Sequence, residues 1–123
     1  GEAYFRDGER RVIERIMHEQ PGVLATGGGA YMDEQVRNIM SKHGVTIWLR
    51  ADLDLLVKRI KYRSGRPLLN KGSKRKILSG LIAKRYPVYA QSEIIVDVSD
   101  EPASKTAKRI VGLLMSYSPE ENN

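Results

Sequence analysis

The chain has 123 residues, 41% hydrophobic and 29% charged, with no cysteine and a net charge of +6. This is enough for one domain with a modest core, too ordered a composition for a disordered segment, and basic enough to suit a polyanionic partner: nucleic acid, or a nucleotide phosphate with an acidic substrate. Disulfides and thiolate metal sites are excluded, no apolar run approaches the roughly 20 residues that span a bilayer, and the charged start carries no signal-peptide core, so a reducing, cytoplasmic setting is expected.

Residues 7–19 are predicted to form the first helix, with Val12, Ile13, Ile16 and Met17 on one face. Asp7 and Glu9 lie in its first turn, where carboxylates suit the positive end of the helix dipole, and Arg6 stands at its start beside Phe5. After Pro21-Gly22, the apolar run Val23-Leu24-Ala25 reads as a buried strand of a parallel sheet, ending in Thr26 and the glycines Gly27, Gly28 and Gly29. Glycines there leave backbone N–H groups bare and permit φ angles closed to other residues. Ligands of open α/β sheets bind outside the carboxyl ends of strands, so this turn is a candidate grip for a small polar molecule. A plain strand-to-helix turn would need only one or two glycines.

Residues 33–43 read as a second helix with Val36, Ile39 and Met40 inward and Gly44 as its stop. Val45-Thr46-Ile47-Trp48-Leu49 reads as the next buried strand, and Asp52 as the cap of a helix carrying Leu53, Leu56, Val57 and Ile60. From Lys58 to Lys76 the chain turns strongly basic between the hinges Ser64-Gly65 and Asn70-Lys71-Gly72, either a flap over an anion or a solvated loop. Its apolar trio Pro67-Leu68-Leu69 needs somewhere to pack. A helix is expected over residues 73–85, with Ile77, Leu78, Leu81 and Ile82 on one side, ending at Tyr86–Tyr89 or continuing past a kink at Pro87. Residues 94–98 form the third predicted strand. The helix 103–115 follows, with Ala107, Ile110, Val111 and Leu114 inward, and then a frayed tail. Strands alternating with helices indicate α/β architecture with a parallel sheet. His18 and His43 fall on exposed helical positions and are assigned no chemistry.

Four motifs stand in register: Gly1-Glu2 with Phe5-Arg6, Thr26-Gly27-Gly28-Gly29-Ala30, Arg66-Pro67-Leu68-Leu69, and Arg85-Tyr86-Pro87-Val88-Tyr89. Their order and spacing resemble the shikimate kinases over nearly the whole chain. The resemblance implies a P-loop kinase fold of the nucleoside-monophosphate-kinase type. It implies transfer of phosphate from ATP, with Mg²⁺, to the 3-hydroxyl of shikimate in aromatic amino-acid biosynthesis. By the same resemblance Arg6 and Arg85 hold shikimate, Gly27, Gly28 and Gly29 contact it through backbone, and Phe5 lines the apolar face of its ring. Arg66 is the lid arginine that closes on the ATP phosphates and stabilises the transferred group, and Arg63 reaches toward the nucleotide. Arginine's planar fork independently suits a carboxylate better than lysine's point charge. Read without the family, Arg85 is equally a favourable cation late in a helix, and Arg6 a surface residue.

The family's phosphate loop, G-x-x-x-x-G-K-[ST], and its acidic pair occur nowhere in these 123 residues. They are expected upstream of Gly1, any Mg²⁺ ligand with them. The sequence then reads as the C-terminal two-thirds of a kinase: a partial domain with its substrate region over about residues 1–43, a lid over 63–76 and a tail over 117–123. In the family's five-stranded order 2-3-1-4-5, the three strands expected here are the third, fourth and fifth. A monomer is expected, active only when complete, with neither nucleic acid nor membrane as partner. The competing functions are a kinase of another polyol or sugar acid such as gluconate, and a basic nucleic-acid-binding module. Against the second, the one tryptophan lies in a predicted buried strand.

Overall fold

Helices and short parallel strands alternate in the structure, a computed structural model that describes residues 1–63 and 71–118, without the side chains of 61–63, 71 and 72. In order they are α1 (Glu2–Met17), a 3₁₀ turn (Ala30–Met32), α2 (Glu34–His43), β1 (Ile47–Arg50), α3 (Leu53–Arg63), α4 (Lys71–Tyr89), β2 (Ile94–Asp97) and α5 (Ala103–Ser116). Two aspartates start two of the helices. Asp33 Oδ1 accepts the N–H groups of Gln35 at 2.8 Å and Val36 at 3.4 Å, and Asp52 Oδ1 accepts that of Leu55 at 2.8 Å.

β1 and β2 pair in parallel, from Ile47 opposite Ile94 to Arg50 opposite Asp97. Trp48, Leu55, Ile94 and Val96 are buried around them. Before the sheet begins, the Glu93 carboxylate accepts the Thr46 amide at 3.0 Å, the Thr46 hydroxyl and the Ser41 hydroxyl, joining the end of α2 to the starts of both strands. A second core lies between α1 and α2, where Ile13, Ala30, Val36 and Met40 are buried with Met17 and Tyr31 against them.

Three expectations change, and one of two alternatives is settled. The sheet has two strands, not three: residues 23–25 are not a strand, and Val23 is fully exposed. Among the described residues no strand lies alongside Val23–Ala25 to offer it a ladder of hydrogen bonds. The first helix begins at Glu2 rather than Asp7, placing Arg6 within it. Pairs three and four residues apart (Arg6 with Glu2 and Glu9, Arg10 and Arg11 with Asp7) favour the longer helix.

The fourth helix runs unbroken through Pro87 to Tyr89. Proline lacks an N–H and is costly inside a helix. Here the last turn is anchored instead by side chains: Tyr86 lies edge-on to Trp48 at 4.8 Å, Tyr89 at 5.8 Å, and the Tyr86 hydroxyl donates to the Ala51 carbonyl at 2.5 Å. Burial pushes the Tyr86 phenol above its ordinary range, so it stays a donor. Finally, α5 turns only Thr106 and half-buried Ile110 inward. Ala107, Val111 and Leu114 are exposed, as are Leu49 and Ile95 on the strands and Ile77 on α4, because two strands cannot cover the whole apolar face.

Candidate functional site

The glycine turn is shaped by its neighbours, not by unusual backbone angles. No described glycine has a φ in the left-handed range, and Gly29 sits at φ −75° and ψ −23°. The expectation that these glycines supply forbidden φ angles is therefore corrected. Close approach is the real demand. A Cβ on Gly28 would lie 2.7 Å from the Tyr89 hydroxyl and 2.8 Å from Arg85 Nη1, and one on Gly29 would lie 2.5 Å from Arg6 Nη2. Around Gly27 there is open space. The turn itself is closed by the Ala30 amide donating to the Gly27 carbonyl at 3.2 Å.

Three elements thus bring two guanidiniums to one place. Arg6 comes from α1, Arg85 from α4 one turn before its end, and the glycine turn lies between them. A cavity of about 400 Å³ opens there, lined by Glu2, Arg6, Gly29, Asp33, Lys84 and Arg85, with Met32 as its apolar patch. That volume suits a small ligand. Three cations face two carboxylates in the lining, so it favours an anion.

The two arginines differ in what already holds them. Arg6 Nη1 donates to Glu9 at 2.7 Å and its Nε to Glu2 at 3.1 Å. Glu9, then Glu2, keep its guanidinium firmly protonated, above the ordinary arginine range. Arg85 is half-buried and has neither hydrogen bond nor ion pair among the described residues. A half-buried guanidinium without an internal anion is open to one that a ligand supplies. Beneath the cavity, Arg10 Nε donates to Asp33 Oδ2 at 2.9 Å. Partial burial pushes the Asp33 carboxyl up, but Arg10 and the Gln35 and Val36 amides outweigh it and hold the group below its usual range. That bridge ties α1 to the cap of α2 and fixes the cavity floor.

Of the residues singled out from sequence, the structure gathers Arg6, Gly28, Gly29 and Arg85. Gly27 is in the turn but does not line the cavity. Phe5 is 56% exposed, with the Arg6 guanidinium 5.1 Å from its ring centre, and it too lies off the lining. Arg63 ends α3 with its side chain undescribed, and Arg66 lies outside the described residues with half of the expected lid, residues 64–70; its residues 71–76 are the start of α4. The sequence motifs give no site role to Glu9, Asp33, Lys84 or Tyr89, which the structure places at the cavity or against its arginines and glycines. Helical spacing was the available signal for two of them: Glu9 follows Arg6 by three residues and Tyr89 follows Arg85 by four. Asp100 and Glu101, in the turn after β2, pair with Lys58 and Arg109, and Arg59 donates to the Ser99 carbonyl at 3.3 Å. His18 and His43 are exposed and face each other, ring centres 4.3 Å apart. No described helix is long and apolar enough to cross a membrane.

A family model described as shikimate kinase matches residues 1–115. A shikimate kinase of Paramagnetospirillum magneticum is 48% identical over 117 residues, covering 95% of this chain, and the chain spans 60% of that relative's length. Among solved structures, a shikimate kinase from Bacteroides thetaiotaomicron superposes with a TM-score of 0.84 at 25% identity, over 94% of this chain and 70% of its own. One from Acinetobacter baumannii, solved in complex with shikimate, gives 0.81 at 28% identity, over 94% of this chain and 65% of its own.

Proposed function

The chain belongs to the shikimate kinase family, and from that premise we propose that its arginine-lined cavity takes the carboxylate of shikimate. The whole protein would phosphorylate the 3-hydroxyl of shikimate from ATP, acting as a monomer in the cytoplasm. The observation that carries this reading is Arg85, a half-buried guanidinium with no anion among the described residues, opposite Arg6 across Gly28 and Gly29. A planar fork matches a carboxylate with two parallel hydrogen bonds. The relative from A. baumannii was solved with shikimate and supports the choice of ligand.

In this assignment Arg6 and Arg85 grip the carboxylate, with Glu9 fixing the Arg6 fork. The bare N–H groups of the Gly27–Gly29 turn donate to ligand oxygens. Phe5 is the apolar neighbour available to the ring on the Arg6 side. Arg66 is assigned to the phosphates and to charge spreading in transfer, with Arg63 toward the nucleotide. Residues 1–43 form the substrate region, and residues 63–76 the lid. ATP with Mg²⁺ supplies the phosphoryl group. The residues present do not build a site for it: no phosphate loop occurs in the sequence, and among the described residues no three His, Asp or Glu side chains converge on a metal position.

The test is a calorimetric titration of the full-length protein with shikimate, its methyl ester and gluconate. Shikimate should bind and the ester should lose about 30-fold or more, the equivalent of a charge-assisted contact. Equal binding of acid and ester, or tighter binding of gluconate, would refute the carboxylate grip on shikimate.

A further inference from the structure

The last turn of α4 holds the glycine turn by a second group besides Arg85. Tyr89 lies four residues on, hence on the same helical face, and its hydroxyl donates to the Gly28 carbonyl at 2.5 Å. Its ring is fixed on three sides, edge-on to Trp48 at 5.8 Å and to Tyr31 at 6.2 Å, and tilted against Tyr86 at 6.1 Å. The hydroxyl is therefore presented from a rigid base. The carbonyl it holds belongs to the same peptide plane as the Gly29 N–H. In a trans peptide these two groups point in opposite directions, so fixing one aims the other. Neither Gly28 nor Gly29 donates its N–H to any acceptor among the described residues. Gly29 lines the cavity.

We propose that Tyr89 is a positioning residue: by holding the Gly28 carbonyl it sets the Gly28–Gly29 peptide so that the Gly29 N–H is presented to the oxygen of a bound carboxylate or hydroxyl. Two backbone rotations per glycine would otherwise leave that plane free to swing. The inference rests on the shikimate reading of the cavity and adds to it a residue that need not touch the ligand.

Tyr86 supplies a matched control three residues away, since its hydroxyl makes the same kind of bond to the Ala51 carbonyl, off the glycine turn. The experiment compares Tyr89→Phe, Tyr86→Phe and Arg85→Lys in the full-length protein. It records shikimate affinity by calorimetry, KM for both substrates, and melting temperature. Both phenylalanine variants keep their ring packing and lose one hydroxyl–carbonyl bond, so similar small drops in melting temperature are expected. Only Tyr89→Phe should weaken shikimate, by about three- to tenfold, with the KM for ATP unchanged. Unchanged shikimate affinity in Tyr89→Phe alongside clear weakening in Arg85→Lys overturns the role of Tyr89 and leaves the shikimate site standing. Equal loss for both substrates, or an equal shikimate loss in Tyr86→Phe, makes Tyr89 merely structural and also overturns the inference. If Arg85→Lys too leaves shikimate binding intact, the carboxylate site itself falls.

Discussion

Replacing Arg85 with alanine should separate ligand binding from folding. The guanidinium makes no hydrogen bond or ion pair among the described residues, so its removal strands no internal carboxylate. Stability should change by less than about 0.5 kcal/mol, as for substitutions away from internal partners. The cost falls on the ligand. A two-pronged, charge-assisted contact contributes about 2–4 kcal/mol in a dry site. This cavity keeps Lys84 and Arg6 in its lining, which soften the loss, so about 2–3 kcal/mol is the better figure. At 1.4 kcal/mol per tenfold, shikimate should bind about 30- to 150-fold more weakly. Arg6→Ala is the instructive contrast. It leaves the Glu9 carboxylate, only 19% exposed, without its cation, and so should lower the melting temperature as well as the affinity. The assay is shikimate titration with steady-state kinetics for both substrates and a thermal melt for each variant. Unchanged shikimate KM and kcat in Arg85→Ala, or an equal loss for ATP, would refute the reasoning.

Arg66→Ala should lower kcat far more than it weakens equilibrium binding of shikimate; binding lost together with turnover would make Arg66 a substrate contact. Gly29→Ala should weaken shikimate binding with little effect on melting temperature, because the added Cβ meets only the flexible end of Arg6; Gly28→Ala should lower both, because its Cβ meets the hydroxyl of the packed Tyr89 ring; Gly27→Ala should be silent in both assays. Asp33→Ala should cost about 1–2 kcal/mol at neutral pH through the lost helix cap and Arg10 bond, measured by denaturant unfolding. Since folding lowers the Asp33 carboxyl below its usual range, that stabilisation is complete above the unfolded value and disappears as pH falls through the folded one, so the variant should match wild type only in acid. Residues 1–123 expressed alone should neither transfer phosphate nor melt cooperatively, given the open faces at Leu49, Ile95, Val111 and Leu114; a sharp two-state transition would show that those faces close by themselves.

Local chemistry was the legible part of this sequence. Asp52 announces α3, Gly44 follows α2, and the β-branched run before Asp52 gives β1. What could not be read was what each apolar run would meet. Val23–Ala25 has the composition of a buried strand, but strand formation needs a neighbour, and none stands beside it among the described residues. The same holds for α5, whose apolar stripe is correct in spacing and yet largely exposed. Within the site, Arg6, Arg85 and the glycines were marked from motifs. Tyr89 stands in the last of those motifs without a legible role, because its importance depends on a carbonyl 61 residues away. The glycines were assigned for the wrong reason, since backbone angles do not distinguish them here.

The close approach of side chains to Gly28 and Gly29 also has a genetic consequence. Every missense change of a glycine codon adds at least a Cβ, so no replacement at either position is silent toward the side chains that converge there. The Arg6 end beside Gly29 is flexible and can move aside, whereas the packed Tyr89 ring beside Gly28 cannot do so without cost. A saturation library scored separately for cellular abundance and for growth that depends on the protein's own activity should therefore show normal abundance with lost function for most replacements at Gly29, and loss of both at Gly28. The adjacent Gly27 codon, facing open space, should tolerate small residues in both screens. Two neighbouring glycines of one run would then diverge under selection, one constrained by what its neighbours need to reach and the other by little.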